Sequence, residues 1–143
     1  MDIMAETSSL QSLQSYPQKS SATILIVEDD PDLRYLLTQC LHKGNYQAVP
    51  VSSESEALRT LADHQIDLVL LDLSTVASTR GQLSICQSIR RQYEGFIVVF
   101  GDLNPFDAKE YAQQLGADAY LSKPMRLADL YSCIQSLLAP GKG

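Results

Sequence analysis

The sequence predicts an α/β fold, a (βα)5 doubly wound parallel sheet with strand order 2-1-3-4-5. Three observations point there. Short β-branched apolar runs alternate with longer segments whose apolar residues recur at helical spacing. The runs "ILIV", "LVLL" and "FIVV" lack polar alternation, as strands covered on both faces do. Parallel neighbours need crossovers, and the intervening helices supply them. The 143 residues suffice for one such domain and fall far short of an eight-stranded barrel.

Residues 1–22 are rich in Ser and Gln and read as a disordered polar tail, with a weak apolar stripe at Leu10 and Leu13. "TILIV" opens the folded region, expected over 23–139. A helix follows, with Asp30 as N-cap, Pro31 at its first position, and Leu33, Leu36, Leu37, Cys40 and Leu41 on one face. Gly44 is its expected terminator. "YQAVPV" is a weaker strand whose Pro50 suits a sheet edge. "SSESEALRTLADH" places Ser53 and Glu56 at capping-box spacing and buries Ala57, Leu58 and Leu61.

"IDLVLLDL" is the most apolar strand and belongs at the centre. "LSICQSIRRQY" is helical, with Leu83, Ile85, Cys86 and Ile89 apolar, and "GFIVVF" is the fourth strand. Asn104 caps "PFDAKEYAQQLG", which ends at Gly116. "DAYLS" and "MRLADLYSCIQSLL" complete the alternation, the last helix burying Leu127, Leu130, Ile134 and Leu137. Residues 140–143 read as a frayed end.

A hydrophobic fraction of 45% and a charged fraction of 20% are ordinary for a globular domain. The net charge of −6 argues against direct binding of nucleic acid, and the adjacent arginines of "SIRRQ" are too few for a phosphate-binding patch. No apolar run approaches the roughly 18–20 residues that span a bilayer, and the N-terminus has no signal-peptide pattern. Cys40, Cys86 and Cys133 lack C-x-x-C spacing, so they read as free packed thiols in a cytoplasmic protein.

In open α/β sheets, ligands bind beyond the carboxyl ends of the strands where strand order reverses, here between the first and third strands. Three charged features fall at carboxyl ends: Glu28, Asp29 and Asp30 after the first strand, Asp72 after the third, and Lys123 after the fifth. Facing carboxylates raise each other's pKa unless a cation lies between them. Oxygen ligands point to Mg²⁺, which favours one or two carboxylates, water and a phosphate. Taken singly, each acid also fits a solvent-facing strand end, and Asp30 fits a helix cap. Taken together, Asp29, Asp72 and Lys123 fit a shared site.

"ILIVEDDPDLR", "IDLVLLDL", "LGADAYLSKP" and their spacing resemble the response-regulator receiver family over about residues 23–139. The resemblance implies a flavodoxin-like fold and a phosphoacceptor, Asp72, that takes a phosphoryl group from a phosphohistidine. It implies Mg²⁺ held by Glu28, Asp29, Asp72 and the backbone carbonyl of Ser74. It implies that Lys123 contacts the acyl phosphate and that the Lys123–Pro124 bond is cis. The partners implied are a histidine kinase or histidine phosphotransfer protein and a downstream protein, with no membrane and no direct nucleic-acid contact. No independent substrate turnover is expected.

The family's usual Ser or Thr at the end of the fourth strand is absent: Gly101 stands there, followed by Asp102. The aromatic partner of that switch is Tyr120, equally readable as a half-buried strand tyrosine. After Asp72 the loop "LSTVASTRGQL" has Val76 where the family carries Pro.

Three functions follow as expectations. The first is a stand-alone receiver signalling by protein contact around Tyr111 and Tyr120, since one helix follows Lys123. The second is an interaction module that keeps the pocket but has weakened phosphorylation-dependent switching. The third is a small Mg²⁺-dependent phosphatase with an Asp nucleophile.

Overall fold

The computed structural model describes residues 21–76 and 78–139. The expected frayed end lies outside these residues, as does the expected tail up to residue 20. The strands are β1 (Thr23–Val27), β2 (Gln47–Val51), β3 (Leu68–Asp72), β4 (Phe96–Gly101) and β5 (Ala119–Ser122). The helices are α1 (Pro31–Lys43), α2 (Glu54–Asp63), α3 (Thr79–Gln92), α4 (Pro105–Leu115) and α5 (Leu127–Leu138). All strand pairs are parallel, in the order β2-β1-β3-β4-β5 expected from the sequence. Edge strand β2 holds Pro50 beside Ile26, where the missing N–H faces away from the ladder.

Side chains alternate across the sheet and divide the core in two. Leu25, Val27, Val69, Leu71, Ile97 and Val99 face α2, α3 and α4, packing on Ala57, Ile85 and Ile89. Ile24, Ile26, Leu68, Leu70, Val98 and Phe100 face α1 and α5, packing on Leu37, Leu41, Leu130 and Ile134. The runs look uniformly apolar because both faces are covered. Cys86 is fully buried, and burial pushes its thiol up to about 11, an unreactive value.

Local signals set the helix ends. Asp30, Ser53 and Asn104 cap α1, α2 and α4 through their side chains, and Gly116 ends α4 at φ 79°. Gly44 is the C-cap that ends α1, as expected. The left-handed residue after α1 is Asn45 (φ 70°), whereas Gly44 has φ −86°. Gly44 also serves close packing, since a Cβ there would lie 2.8 Å from the Tyr131 ring. Three expectations need correction. Glu56 reaches back to the Ser52 amide, one residue before the cap. Helix α3 starts at Thr79, with Ser78 capping it, earlier than the apolar pattern indicated. Finally, Leu36, Leu83 and Leu127 are 56%, 36% and 41% exposed, at the borders of their apolar stripes.

These exposures order the cost of truncation. Ile89→Ala should cost about 2–5 kcal/mol in urea unfolding, and Leu36→Ala within about 0.5 kcal/mol. Equal losses at the two positions would contradict this packing.

Candidate functional site

Strand β1 ends with its three acids sent in different directions. Asp30 accepts the Asp32 amide at 3.0 Å as cap of α1. Asp29 is exposed at the rim. Glu28 is 1% exposed: its Oε2 accepts the Asp30 amide at 3.0 Å, while its buried Oε1 has no hydrogen-bond partner.

Asp72 ends β3 and is 2% exposed. Its Oδ1 accepts the Ser74 amide at 2.8 Å, because Asp72 also caps the short 3-10 turn Leu73–Thr75. Lys123 Nζ lies 3.0 Å from Oδ1 and 3.1 Å from Oδ2, and it donates to Ser74 Oγ at 3.0 Å. Lysine reaches this far because β5 is only one strand removed from β3, and the Lys123 amide donates to Gly101 O at 2.8 Å. Its ammonium sits 5.3 Å from the Phe100 ring centre. The Lys123–Pro124 bond is cis, as the resemblance implied.

The two buried carboxyls titrate as a pair. Burial, reinforced by Asp72, pushes Glu28 up to about 8. Burial acts to raise Asp72 too, but Glu28, the Ser74 amide and Lys123 outweigh it and hold Asp72 below its ordinary value. Burial thus favours the protonated form of Glu28, and the Lys123 ammonium favours the ionised form of Asp72.

A divalent cation suits this donor set. The unpartnered Glu28 Oε1 is a hard oxygen beside a buried carboxylate, with Asp29 at the rim. Among the described residues no three acid, His or Cys side chains form a metal cage by themselves. Mg²⁺, which takes one or two carboxylates and keeps several waters, suits so small a set of acids.

Of the residues singled out from sequence, Asp72, Ser74 and Lys123 are in direct contact, and Glu28 adjoins Asp72. Gly101 and Tyr120 meet at the end of β4, where a Cβ on Gly101 would lie 2.5 Å from Tyr120 Oη. Sequence reasoning passed over Gln82 and Ser122. Gln82 Nε2 donates to Leu73 O and Val76 O, both at 3.0 Å, and Tyr111 Oη donates to Gln82 Oε1 at 2.6 Å. Ser122 Oγ donates to Leu103 O at 2.7 Å. No local signal marks such long-range contacts.

A family profile for the response regulator receiver domain matches residues 24–135. The chain belongs to that family. It is 31% identical over 118 residues to the regulatory protein VanR of Enterococcus faecium, covering 82% of this chain and 50% of that protein. It is 29% identical over 126 residues to a probable transcriptional regulator, ycf27, of Cyanidium caldarium, covering 88% of this chain and 50% of that one. The chain thus spans about half the length of these curated relatives. Among solved structures, a two-component response regulator from Clostridium difficile superposes with a TM-score of 0.74 at 24% identity, covering 86% of this chain and all of that one. The receiver domain of sensor histidine kinase PA1611 from Pseudomonas aeruginosa superposes with a TM-score of 0.70 at 25% identity, covering 82% and 98%, and holds magnesium in its active-site cleft. No helix among the described residues of this receiver domain is long and apolar enough to cross a membrane.

The Glu28 proton sets a pH dependence. Its folded pKa lies above the ordinary 4.5, so the folded receiver keeps a proton that the unfolded chain sheds. Stability without metal should therefore fall as pH rises from 4.5 through about 8. Mg²⁺ favours the ionised carboxylate, so it should raise the melting temperature more at about pH 8.5 than at about pH 6. Glu28→Gln should flatten the metal-free trend. An Mg²⁺ effect independent of pH would contradict this assignment.

Proposed function

We propose that Asp72 accepts a phosphoryl group from the phosphohistidine of a histidine kinase or histidine phosphotransfer protein, and that the receiver then signals by protein contact. The observation that carries this reading is a buried Asp72 carboxyl with both oxygens within 3.1 Å of one ammonium. One Asp72 oxygen forms the bond to phosphorus as the phosphorus–nitrogen bond breaks, and the bonding pair returns to the imidazole. The Ser74 amide fixes the rotation of the carboxylate. Lys123 offsets repulsion between two anions, which is the main obstacle in this reaction. Glu28, Asp29, Asp72 and the Ser74 carbonyl would hold Mg²⁺. When bound, the ion supplies further charge neutralisation at the phosphoryl oxygens. The aspartyl phosphate is a mark rather than a released product, so no turnover of an independent substrate is expected.

A contact surface for output runs along α4, β5 and α5, where an open cavity of about 650 Å³ is lined by Lys109, Tyr120 and Met125 among others. The net charge of −6 favours a protein there over nucleic acid.

With Mg²⁺ and acetyl phosphate or a phosphorylated kinase, wild type should gain a hydroxylamine-labile label that Asp72→Asn lacks. An unlabelled wild type, or a labelled variant, would refute the phosphoacceptor role. Gly101 favours a second reading, an interaction module whose binding ignores phosphorylation. On that reading Asp72→Ala leaves partner binding unchanged.

A further inference from the structure

The end of β4 carries no side chain, yet the space above it is filled. A Cβ on Gly101 would lie 2.5 Å from Tyr120 Oη and 3.4 Å from its Cζ, so a larger residue there and this seat for the phenol exclude one another. Two polar ties fasten the seat. The Leu103 amide donates to Tyr120 Oη at 3.1 Å, and Ser122 Oγ donates to the carbonyl of the same Leu103 at 2.7 Å. The β4–α4 loop is thereby clasped to β5 through both backbone polar groups of one residue. The Tyr111 ring packs against Tyr120 with centres 6.5 Å apart.

Having accepted from Leu103, the phenol retains its own proton for donation. Burial raises its pKa above the ordinary value, so it stays protonated. Asp72 and Lys123 both act electrostatically on it, and it lines a cavity of about 570 Å³ together with Ser74, Gly101 and Asp102.

We infer that the Tyr120 hydroxyl replaces, from β5, the hydroxyl that β4 lacks. It donates to the oxygens of a phosphoryl group carried on Asp72, and it does so as a fixed residue. The ring and the β4–α4 loop keep one arrangement whether or not the phosphoryl group is present. This inference rests on Asp72 being the phosphoacceptor.

Beryllofluoride, which mimics a phosphoryl group on a carboxylate, tests it on the full chain with Mg²⁺. Tyr120→Phe keeps the ring and removes the donor, so it should bind beryllofluoride about ten- to a hundredfold more weakly. Its affinity for Mg²⁺ alone should be unchanged. Tyr120→Ala should weaken binding similarly, and adding Gly101→Thr should recover it by returning a hydroxyl to β4. Hydrogen exchange at the Leu103 amide should be equally slow in wild type with and without beryllofluoride, and faster in Tyr120→Phe. Equal beryllofluoride affinities for wild type and Tyr120→Phe would overturn the inference while leaving Asp72 as acceptor. So would a Leu103 exchange rate that changes on binding in wild type. A wild-type chain that binds no beryllofluoride removes the acceptor role and this inference together.

Discussion

The contact between the Lys123 ammonium and the Asp72 carboxylate is the constraint on which the site depends. Asp72 is buried at the tip of the central strand, where an unpaired negative charge is costly. The ammonium comes from the far side of β4, so the pair exists only if β3, β4 and β5 are in the observed parallel register. In that register Asp72 lies opposite Phe100, and Gly101 lies opposite Ser122, one residue before the lysine. The lysine stem crosses the end of β4 near the Phe100 ring, and its own amide is tied to Gly101 O. Strand order, register and charge neutralisation are thus one requirement seen at three scales.

The same logic explains why a buried strand ends in three acids. They do not share an environment. Asp30 is used up as a helix cap, Asp29 stays in water, and Glu28 alone turns inward. Two buried carboxyls beside one ammonium leave a surplus negative charge, and burial beside Asp72 pushes Glu28 toward its protonated form. A divalent ion would replace that proton. Glu28 Oε1, without a partner, is the point at which the replacement would be felt.

What could be read from the sequence was whatever local chemistry encodes. Apolar runs of strand length betrayed a two-sided sheet, and Asp30, Ser53 and Asn104 marked helix starts because a cap acts within three residues. The convergence of Glu28, Asp72 and Lys123 was accessible too, since strand order places strand ends together. Misjudged residues lay where tertiary geometry decides. Leu36, Leu83 and Leu127 sit on the borders of apolar stripes, and periodicity cannot tell a border residue from a central one. Helix α3 begins in the polar stretch Thr79–Gln82, which has no apolar signal to extend. Gly44 was legible as the helix terminator, but the Tyr131 ring that lies against it was not. The absence of a hydroxyl at Gly101 was legible, but the phenol occupying its space was not, because that fit depends on a rotamer on the next strand, β5.

The two loops rimming the site are fastened differently, and the difference matters for signalling. The β4–α4 loop is clasped to β5 through Leu103, both of whose ties come from the sheet. The β3–α3 loop, which carries Ser74, is fastened through Gln82, and Gln82 is held in turn by Tyr111 of α4. The chain of contact from α4 to Asp72 therefore runs Tyr111, Gln82, the Leu73 carbonyl and the Ser74 amide, each link a hydrogen bond of 3.0 Å or less except the covalent step between Leu73 and Ser74. Coupling between sites is reciprocal. If, as proposed, a protein partner docks near Tyr111, displacing that residue would loosen the turn orienting Asp72, and a group bound at Asp72 would change the affinity for that partner by the same factor. Tyr120, tied to the Leu103 amide over Gly101, fastens the other rim loop to β5 instead.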